Sequence, residues 1–436
     1  MNFIKPLFIF IHNDTMGTFA FLTLTVAFIY FLASLKPLKG FFHFLPPVIW
    51  CYFLPMLATT MGLIPDHSPL YSWLTKYLLP FALILLLLST DLKAIFRLGP
   101  RAIIVMLFGS FGIILGASIS FYLFKNHLFA GKPALMKDVW KGVGALSGSW
   151  IGGSANMTAI AAGVGLDKNS AVLTPFLAVD TIVGYGWMGI VIFLARFQDS
   201  FNKFFKIDTS AIDKLNIRLE KLEASKTSRK IEIKDMAYLI GIAMSLGIFC
   251  KYLGYGFQDI FKTFWTSVFG TIKPNMNFFQ KFIVNFGSVF GGMTWAIIFA
   301  TIVGIILSFT PFKKMEEVGA SNIGYFALFL VLTGYGARAN LSGVSDIYYF
   351  FFMGIVWIII HAICLFIGLL ITRSPLFFFA VGSQANIGGP TTASIVAGVY
   401  QKSLAPVGVL LGVFGSIIGT PLGLIVASIA KVISGQ

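Results

Sequence analysis

The sequence predicts an all-α polytopic membrane protein made of two inverted repeats, each of about five transmembrane helices plus one re-entrant or broken helical hairpin. Three observations predict it. The chain is 57% hydrophobic and only 11% charged, with a mean hydropathy of +0.87, against about 25% charged residues in a soluble domain. Apolar runs of about 20 residues, the length that crosses a hydrocarbon core, recur along it. Two of its polar-rich segments resemble each other, and positive charge punctuates the runs between them.

The runs fall at about 15–35, 41–64, 72–90, 102–124 and 170–197, then 236–257, 284–310, 320–337, 346–371 and 404–432. Two further segments, 137–168 and 376–400, are apolar enough for the membrane yet rich in Gly, Ser, Thr and Asn. The residues divide into a first membrane repeat (1–197), a basic cytoplasmic linker (198–235) and a second membrane repeat (236–436). Within the linker, Ile212, Leu215, Leu219 and Leu222 recur at helical spacing, which predicts an amphipathic surface helix. Residues 258–283 read as an aromatic-rich excursion along the opposite interface. The N-terminal stretch through Ile11 lacks a small-residue cleavage site and is expected to be retained at the interface.

The net charge of +15 would suggest nucleic acid in a soluble chain. Here Lys and Arg flank the spans, so the positive-inside rule accounts for them and no nucleic-acid partner is expected. Lys36 and Lys39 follow the first run, Lys93, Arg97 and Arg101 follow the third, and the basic linker follows the run ending near 197. All three loops fall on one side only if segment 137–168 dips in and returns. The same assumption for 376–400 keeps Lys313, Lys314 and Arg373 on that side too. Charge parity therefore favours two re-entrant hairpins over two crossings, a discontinuous crossing helix being the alternative.

The internal echo supports a repeat. PFALILLLLSTDLKAI (80–95) parallels YFALFLVLTGYGARAN (325–340), and SWIGGSANMTAIAAGV (149–164) parallels ANIGGPTTASIVAGV (385–399). Ile-Gly-Gly is identical at 151–153 and 387–389. An odd number of crossings per half turns the second half upside down, the architecture of many secondary transporters.

Glycine, serine and asparagine at membrane depth suit backbone that departs from a helix, which is tolerated only where protein buries it or water reaches it. Paired glycines allow a sharp turn and a close approach to a ligand. Inward-pointing helix N-termini favour an anion. The expected substrate and ion site therefore combines Ser149, Gly152, Gly153, Ser154, Asn156 and Thr158 with Asn386, Gly388, Gly389, Thr391 and Thr392. Plain helix packing through small residues is the competing explanation.

Asp180 lies in an apolar run (PFLAVDTIVGYGW), where a carboxylate is expensive and points to function. It is expected to bind Na⁺, with Asn156 nearby, or to carry a proton. A hydrogen bond to Thr181 or a neighbouring helix is its structural alternative. Asp91 beside Lys93 reads as a surface ion pair; Arg338 as a residue that snorkels or attracts an anion; His361 as a helix contact; Ser147 and Gln384 as further cavity candidates. Cys51, Cys250 and Cys364 all lie in apolar runs and read as buried thiols, with no cofactor implied.

SGSWIGGSANMTAIAAG (147–163) followed by TPFLAVDTIVGYGWMG (174–189) resembles the YjcL-like family of uncharacterised integral membrane proteins, over nearly the whole chain. More distantly it is similar to the glutamate/sodium and citrate-type symporters, which place Gly-Gly motifs at the tips of paired re-entrant loops. That resemblance implies a homodimer with a scaffold and a moving transport domain, working by an elevator motion. Two features depart from the pattern: Pro390 follows Gly389, and the second half has no counterpart of Asp180, its equivalent lying near Gly415.

The expected function is an ion-coupled secondary active transporter, a Na⁺ symporter in the inner (cytoplasmic) membrane. Its solute would be small and polar or anionic, such as an amino acid, small peptide or carboxylate. An ion channel is the main alternative, since polar re-entrant loops also build filters. An intramembrane enzyme is disfavoured. The Gly-x-Gly-Asp arrangement of an aspartyl protease is absent, and Ser147 lacks the Gly-x-Ser-Gly context of a serine nucleophile. GVGALSG (142–148) has no soluble strand–turn–helix unit around it, so it is not a dinucleotide loop.

Overall fold

The computed structural model describes residues 14–44, 47–88, 99–128, 130–166, 170–207, 231–273, 275–338, 347–401 and 404–436. The expected linker helix at Ile212–Leu222, the Asp91–Lys93 pair and the N-terminal stretch lie outside the described residues. The first half comprises α1 (Thr15–Ser34), α2 (Pro47–Thr60), α3 (Pro69–Leu88), α4 (Pro100–Phe124), α5 (Val139–Gly152), α6 (Ser154–Gly163), α7 (Ser170–Leu194) and the short α8 (Gln198–Phe204). The second comprises α9 (Ile233–Phe269), α10 (Phe278–Ser288), α11 (Gly292–Ser308), α12 (Ala320–Arg338), α13 (Ile347–Ile371), α14 (Leu376–Ile387), α15 (Gly389–Tyr400) and α16 (Ala405–Ile433).

Among the described residues, eight helices are long and apolar enough to cross a membrane, and ten if each of two bent pairs counts as one span. The chain is an all-helical multi-pass membrane protein. Local signals start several helices. Asp14 caps α1 by accepting from the Gly17 N–H at 2.8 Å. Reciprocal capping boxes begin α9 (Glu232 with Asp235) and α10 (Asn277 with Gln280), satisfying donors that the first turn leaves free.

Two boundaries differ from the sequence expectation. Residues 258–269 are not a surface excursion but the continuation of α9, which runs unbroken for 37 residues. Aromatic contacts hold this extension: Phe257 and Phe261 pack on Trp295, and Trp265 on Phe286. The run 284–310 is not one straight helix either, because α10 meets α11 at 79°. The break lies at Gly291–Gly292, where the Gly292 N–H donates to Gln258 Oε1 instead of extending α10.

Helix packing separates two bundles. In the first, α2 packs on α12, α3 on α11 and α12, and α9 on α11. In the second, α4 packs on α13, and α16 gathers α5, α14 and α15 around it. The α2–α12 and α3–α11 pairs are compatible with an internal repeat that exchanges equivalent helices between the halves. The bundles meet where α6 touches α11 and α10 touches α16.

Both polar-rich segments double back. A methyl on Gly148 would lie 2.3 Å from Ile160 Cδ1 and 3.2 Å from the Asn156 carbonyl oxygen, so α6 returns along α5. At the open end of the second hairpin the rings of Phe377 and Tyr400 stand 6.1 Å apart, so α15 returns along α14. The hairpins enter from opposite ends of the molecule. The base of α5–α6 adjoins the C-terminus, where Gln436 Nε2 donates to the Lys137 carbonyl at 3.0 Å. The base of α14–α15 adjoins the end of α7, where the Tyr400 hydroxyl donates to the Val191 carbonyl at 2.9 Å and the Leu376 N–H to Asn202 Oδ1 at 3.3 Å. This opposed placement is compatible with inverted repeats.

The topology predicts a labelling pattern. Lys141→Cys, at the start of α5, and Val164→Cys, just after α6, should react with an impermeant thiol reagent from the same face of the membrane. Gln401→Cys should react from the other. Labelling of positions 141 and 164 from opposite faces would overturn the first hairpin.

Candidate functional site

The hairpin tips meet in the middle of the molecule. Gly153 ends α5 with φ 90° and ψ 176°, a region that essentially only glycine occupies. Gly389 has φ 73°. A Cβ on Gly153 would stand 3.4 Å from the Gly389 Cα, so the two turns are in backbone contact. Gly412 and Gly415 of α16 admit them closely: a Cβ would lie 2.4 Å from Pro390 N at the first and 2.6 Å from the Ile151 carbonyl oxygen at the second.

A cavity of about 640 Å³ lies against these tips, between the two bundles. Gly152, Gly153, Ser154 and Asn156 line it from one hairpin, and Gly388, Gly389, Thr391 and Thr392 from the other. Tyr30, Leu83, Leu87, Tyr325 and Phe329 of the first bundle face them. The helices α6 and α15 both begin at the tips, so the positive ends of two helix dipoles adjoin the cavity. Exposed Glu316 and Asn322 mark its mouth. Helix α11 starts beside Gly163, where a Cβ on Gly291 would lie 3.5 Å from the Gly163 carbonyl oxygen, and its 17 residues carry the chain about 26 Å away. The mouth is therefore at the end opposite the base of the first hairpin.

Behind the tips a smaller pocket of about 70 Å³ contains half-buried Asp180 with Ser149, Thr181, Tyr185 and Gln384. The carboxyl faces the side chains of Ser149 and Trp150 of α5, and the Trp150 indole N–H makes no hydrogen bond. Buried Gln384 leaves its Nε2 without a hydrogen-bond partner. That donor and the carboxylate give the pocket opposite polarities within a few ångströms of both hairpins.

The expected residues do not all reach the cavity. Thr158 donates to the Ser154 carbonyl at 2.8 Å, and its own carbonyl accepts from the Tyr335 hydroxyl at 3.0 Å, which fixes α6 against the first bundle. Asn386 is fully buried and bonded at both amide atoms, Nδ2 to the Met106 carbonyl (3.0 Å) and Oδ1 to Ser110 Oγ (2.9 Å). It ties the second hairpin to α4. Ser147 turns back onto the Val143 carbonyl at 2.7 Å. Asn156 lines the cavity, but its Nδ2 donates to the Gly152 carbonyl (2.8 Å) and its Oδ1 accepts from Thr420 Oγ1 (2.7 Å). A cation at Asn156 would displace the Thr420 hydroxyl.

His361 is a helix contact. Its ring nitrogens lie 2.9 Å from the Gly109 carbonyl and 2.9 Å from Ser383 Oγ, which also accepts from Trp187 Nε1 at 2.8 Å. Arg338 donates to Ser72 Oγ at 3.1 Å, away from the tips. The cysteines are buried and unpaired. Sequence reasoning missed Ser416 and Thr420, which line the cavity from α16; Ser416 Oγ donates to the Gly152 carbonyl at 3.0 Å. Their signal was present in GVFGSIIGTPLG (412–423), two small polar residues four apart among glycines on one helical face.

With this geometry in place, comparison with known proteins is informative. Residues 20–433 match the family described as "Protein of unknown function (DUF819)". The chain belongs to that family. It is 27% identical over 379 residues to the uncharacterized membrane protein YjcL of Bacillus subtilis (strain 168), a match spanning 84% of this chain and 85% of the relative. The YjcL-like likeness seen in the motifs thus extends along most of the molecule. No solved structure matches the chain.

Proposed function

We propose that this family member is an ion-coupled secondary active transporter in the inner (cytoplasmic) membrane. Its solute is small and polar or anionic, such as an amino acid, small peptide or carboxylate, and its driving ion is Na⁺. The observation that carries the proposal is the contact between two glycine turns. They reach the middle of the molecule from opposite ends and form part of the wall of a cavity of about 640 Å³. Broken or re-entrant helices at the midplane with their N-termini toward a substrate are the recurrent transporter solution.

In this scheme the solute binds against the tips, where the first turns of α6 and α15 offer N–H groups and Ser154, Thr391 and Ser416 offer hydroxyls. Asp180 supplies charge to the coupling ion from the pocket behind. The second bundle then slides along the first in an elevator motion, in a homodimer. The surfaces that would slide include the α6–α11 and α10–α16 contacts and the Tyr335 hydroxyl on the Thr158 carbonyl. The alternative coupling ion is a proton carried by Asp180.

Thermal stability of the purified protein tests the scheme, with NaCl against KCl crossed with pH and with amino acids, dipeptides and organic acids. A ligand present at 100 times its Kd stabilises the folded state by about 2.7 kcal/mol. One solute class should raise Tm in Na⁺ and not in K⁺. A rise indifferent to Na⁺ and dependent on pH would assign the coupling to protons. Absence of any shift, together with non-saturable flux in liposomes, would reject a transporter in favour of a channel.

A further inference from the structure

A second cleft, of about 420 Å³, opens at the other end of the molecule, at the base of the first hairpin. Three lysines line it from three helices: Lys76 of α3, Lys141 of α5 and Lys431 of α16. No acidic residue lines it among the described residues. Lys141 Nζ contacts Asp138 Oδ1 at 2.7 Å. Lys431 and Lys76 have no acidic partner within ion-pair distance among the described residues; the Lys431 ammonium instead donates to Ser288 Oγ at 2.8 Å.

Lys141 and Lys431 both lie over the ring of Trp140, at 5.8 and 5.1 Å from its centre, so one indole neighbours two like charges. The same ring is 5% exposed, and its Nε1–H has no partner. The first turns of α5 and α11 contribute Lys141, Gly292 and Met293 to the wall, which adds the positive ends of two helices. The last turn of α6 also lines the cleft through Ala162 and Gly163, and the negative end of that helix offsets part of this charge.

With the basic loops on the cytoplasmic side, this end lies outside the cell, opposite the basic linker. The positive-inside rule therefore does not account for lysines here. Asp138 offsets one of the three ammonium charges, and the other two are unfavourable together unless something negative joins them. Lys76 belongs to the first bundle and the other two to the second, so an occupant would sit on the seam between the bundles.

We infer that this cleft binds a small organic anion carrying a carboxylate or phosphate group, and is the outer vestibule through which an anionic solute reaches the hairpin tips. The inference rests on the transporter proposal for its second half and narrows the solute class to anions. An anionic lipid headgroup shares the chemistry and is the competing source.

The test uses the full chain in detergent without added lipid. Inorganic phosphate, succinate and citrate are titrated at constant ionic strength against chloride, with Tm as the readout. At least one should bind saturably, and Lys431→Gln should weaken its affinity by about tenfold or more, the size of one lost charge-assisted hydrogen bond. Lys76→Gln guards against misfolding, because that side chain is exposed and serves no packing role; it should weaken binding in the same direction. Unchanged affinity in both variants, or a response only to phosphatidylglycerol in nanodiscs, overturns the inference. Solute uptake into liposomes separates the two proposals. Uptake insensitive to both lysine variants sinks the vestibule and leaves the transporter standing. Lysine-dependent anion binding without any uptake leaves the anion site and removes the transporter.

Discussion

Asp180→Asn is expected to fold normally and to lose ion-driven accumulation by about tenfold to a hundredfold, the equivalent of one charge-assisted contact worth about 1.5–3 kcal/mol. The substitution keeps the shape of the side chain, and the pocket around it needs no repacking. It removes a charge from a site walled by helices, where ionised groups are costly, so Tm should hold or rise. Uptake of the solute into proteoliposomes under an imposed Na⁺ or pH gradient measures the effect. Full gradient-driven accumulation by the Asn variant would remove Asp180 from the coupling mechanism. Its place beside Ser149 and Trp150 would then be structural.

Gly152→Ala and Gly153→Ala carry the second large expectation, and for different reasons. At Gly152 a methyl would stand 2.3 Å from the Gly415 carbonyl oxygen and 2.4 Å from Asn156 Nδ2, so α16 or the hairpin must move. At Gly153 space is not the obstacle. A residue with a Cβ is strained at φ 90°, ψ 176° by about 1–3 kcal/mol. Both variants should lower Tm and abolish solute-dependent stabilisation, since each displaces the tip that lines the cavity. Gly241→Ala and Gly186→Ala are the controls, with nothing within 4 Å of either added methyl; in helix interiors they should be neutral or mildly stabilising. A Gly153→Ala protein with unaltered solute-dependent Tm shifts would show that the tip geometry is not used for binding.

The spans were legible because lipid imposes one requirement on every residue that faces it. Apolar runs longer than about 20 residues read directly as crossing helices, and positive charge at their ends sets their parity. Parity also pointed to the two hairpins, since the basic loops could share a side only if 137–168 and 376–400 turned back. The return of α6 along α5 and of α15 along α14 has that form. The extent of α9 was not legible. Gln258, Asp259 and Lys262 look like a polar exit from the membrane, and only the packing of Phe257 and Phe261 on Trp295 and Phe290 shows the helix continuing.

The polar residues of the hairpins divide in a way that composition could not reveal. Asn156 and Asn386 occupy matching motifs, yet one lines the cavity while the other is locked between Met106 and Ser110 of α4. Thr392 reaches the cavity and Thr158 does not. A helix places residues around its axis by a fixed 3.6-residue period, but which side is wet depends on the neighbour opposite. For α6 that neighbour is the first bundle, through Tyr335; for α14 it is α4.

By itself, then, the sequence determined that the chain lives in lipid, about where its long apolar helices lie, and that two glycine-rich segments are set apart from the spans. These follow from hydropathy, charge and local repetition, each summed over neighbours in the chain. Only the tertiary structure decided that the two glycine turns touch, that Ser416 and Thr420 join them, and that Asp180 stands behind them. It alone gathered Lys76, Lys141 and Lys431 into one cleft. Those facts belong to residues far apart in sequence, and the close packing of α16 against both hairpins, through glycines that admit no side chain, is what brings them within contact distance.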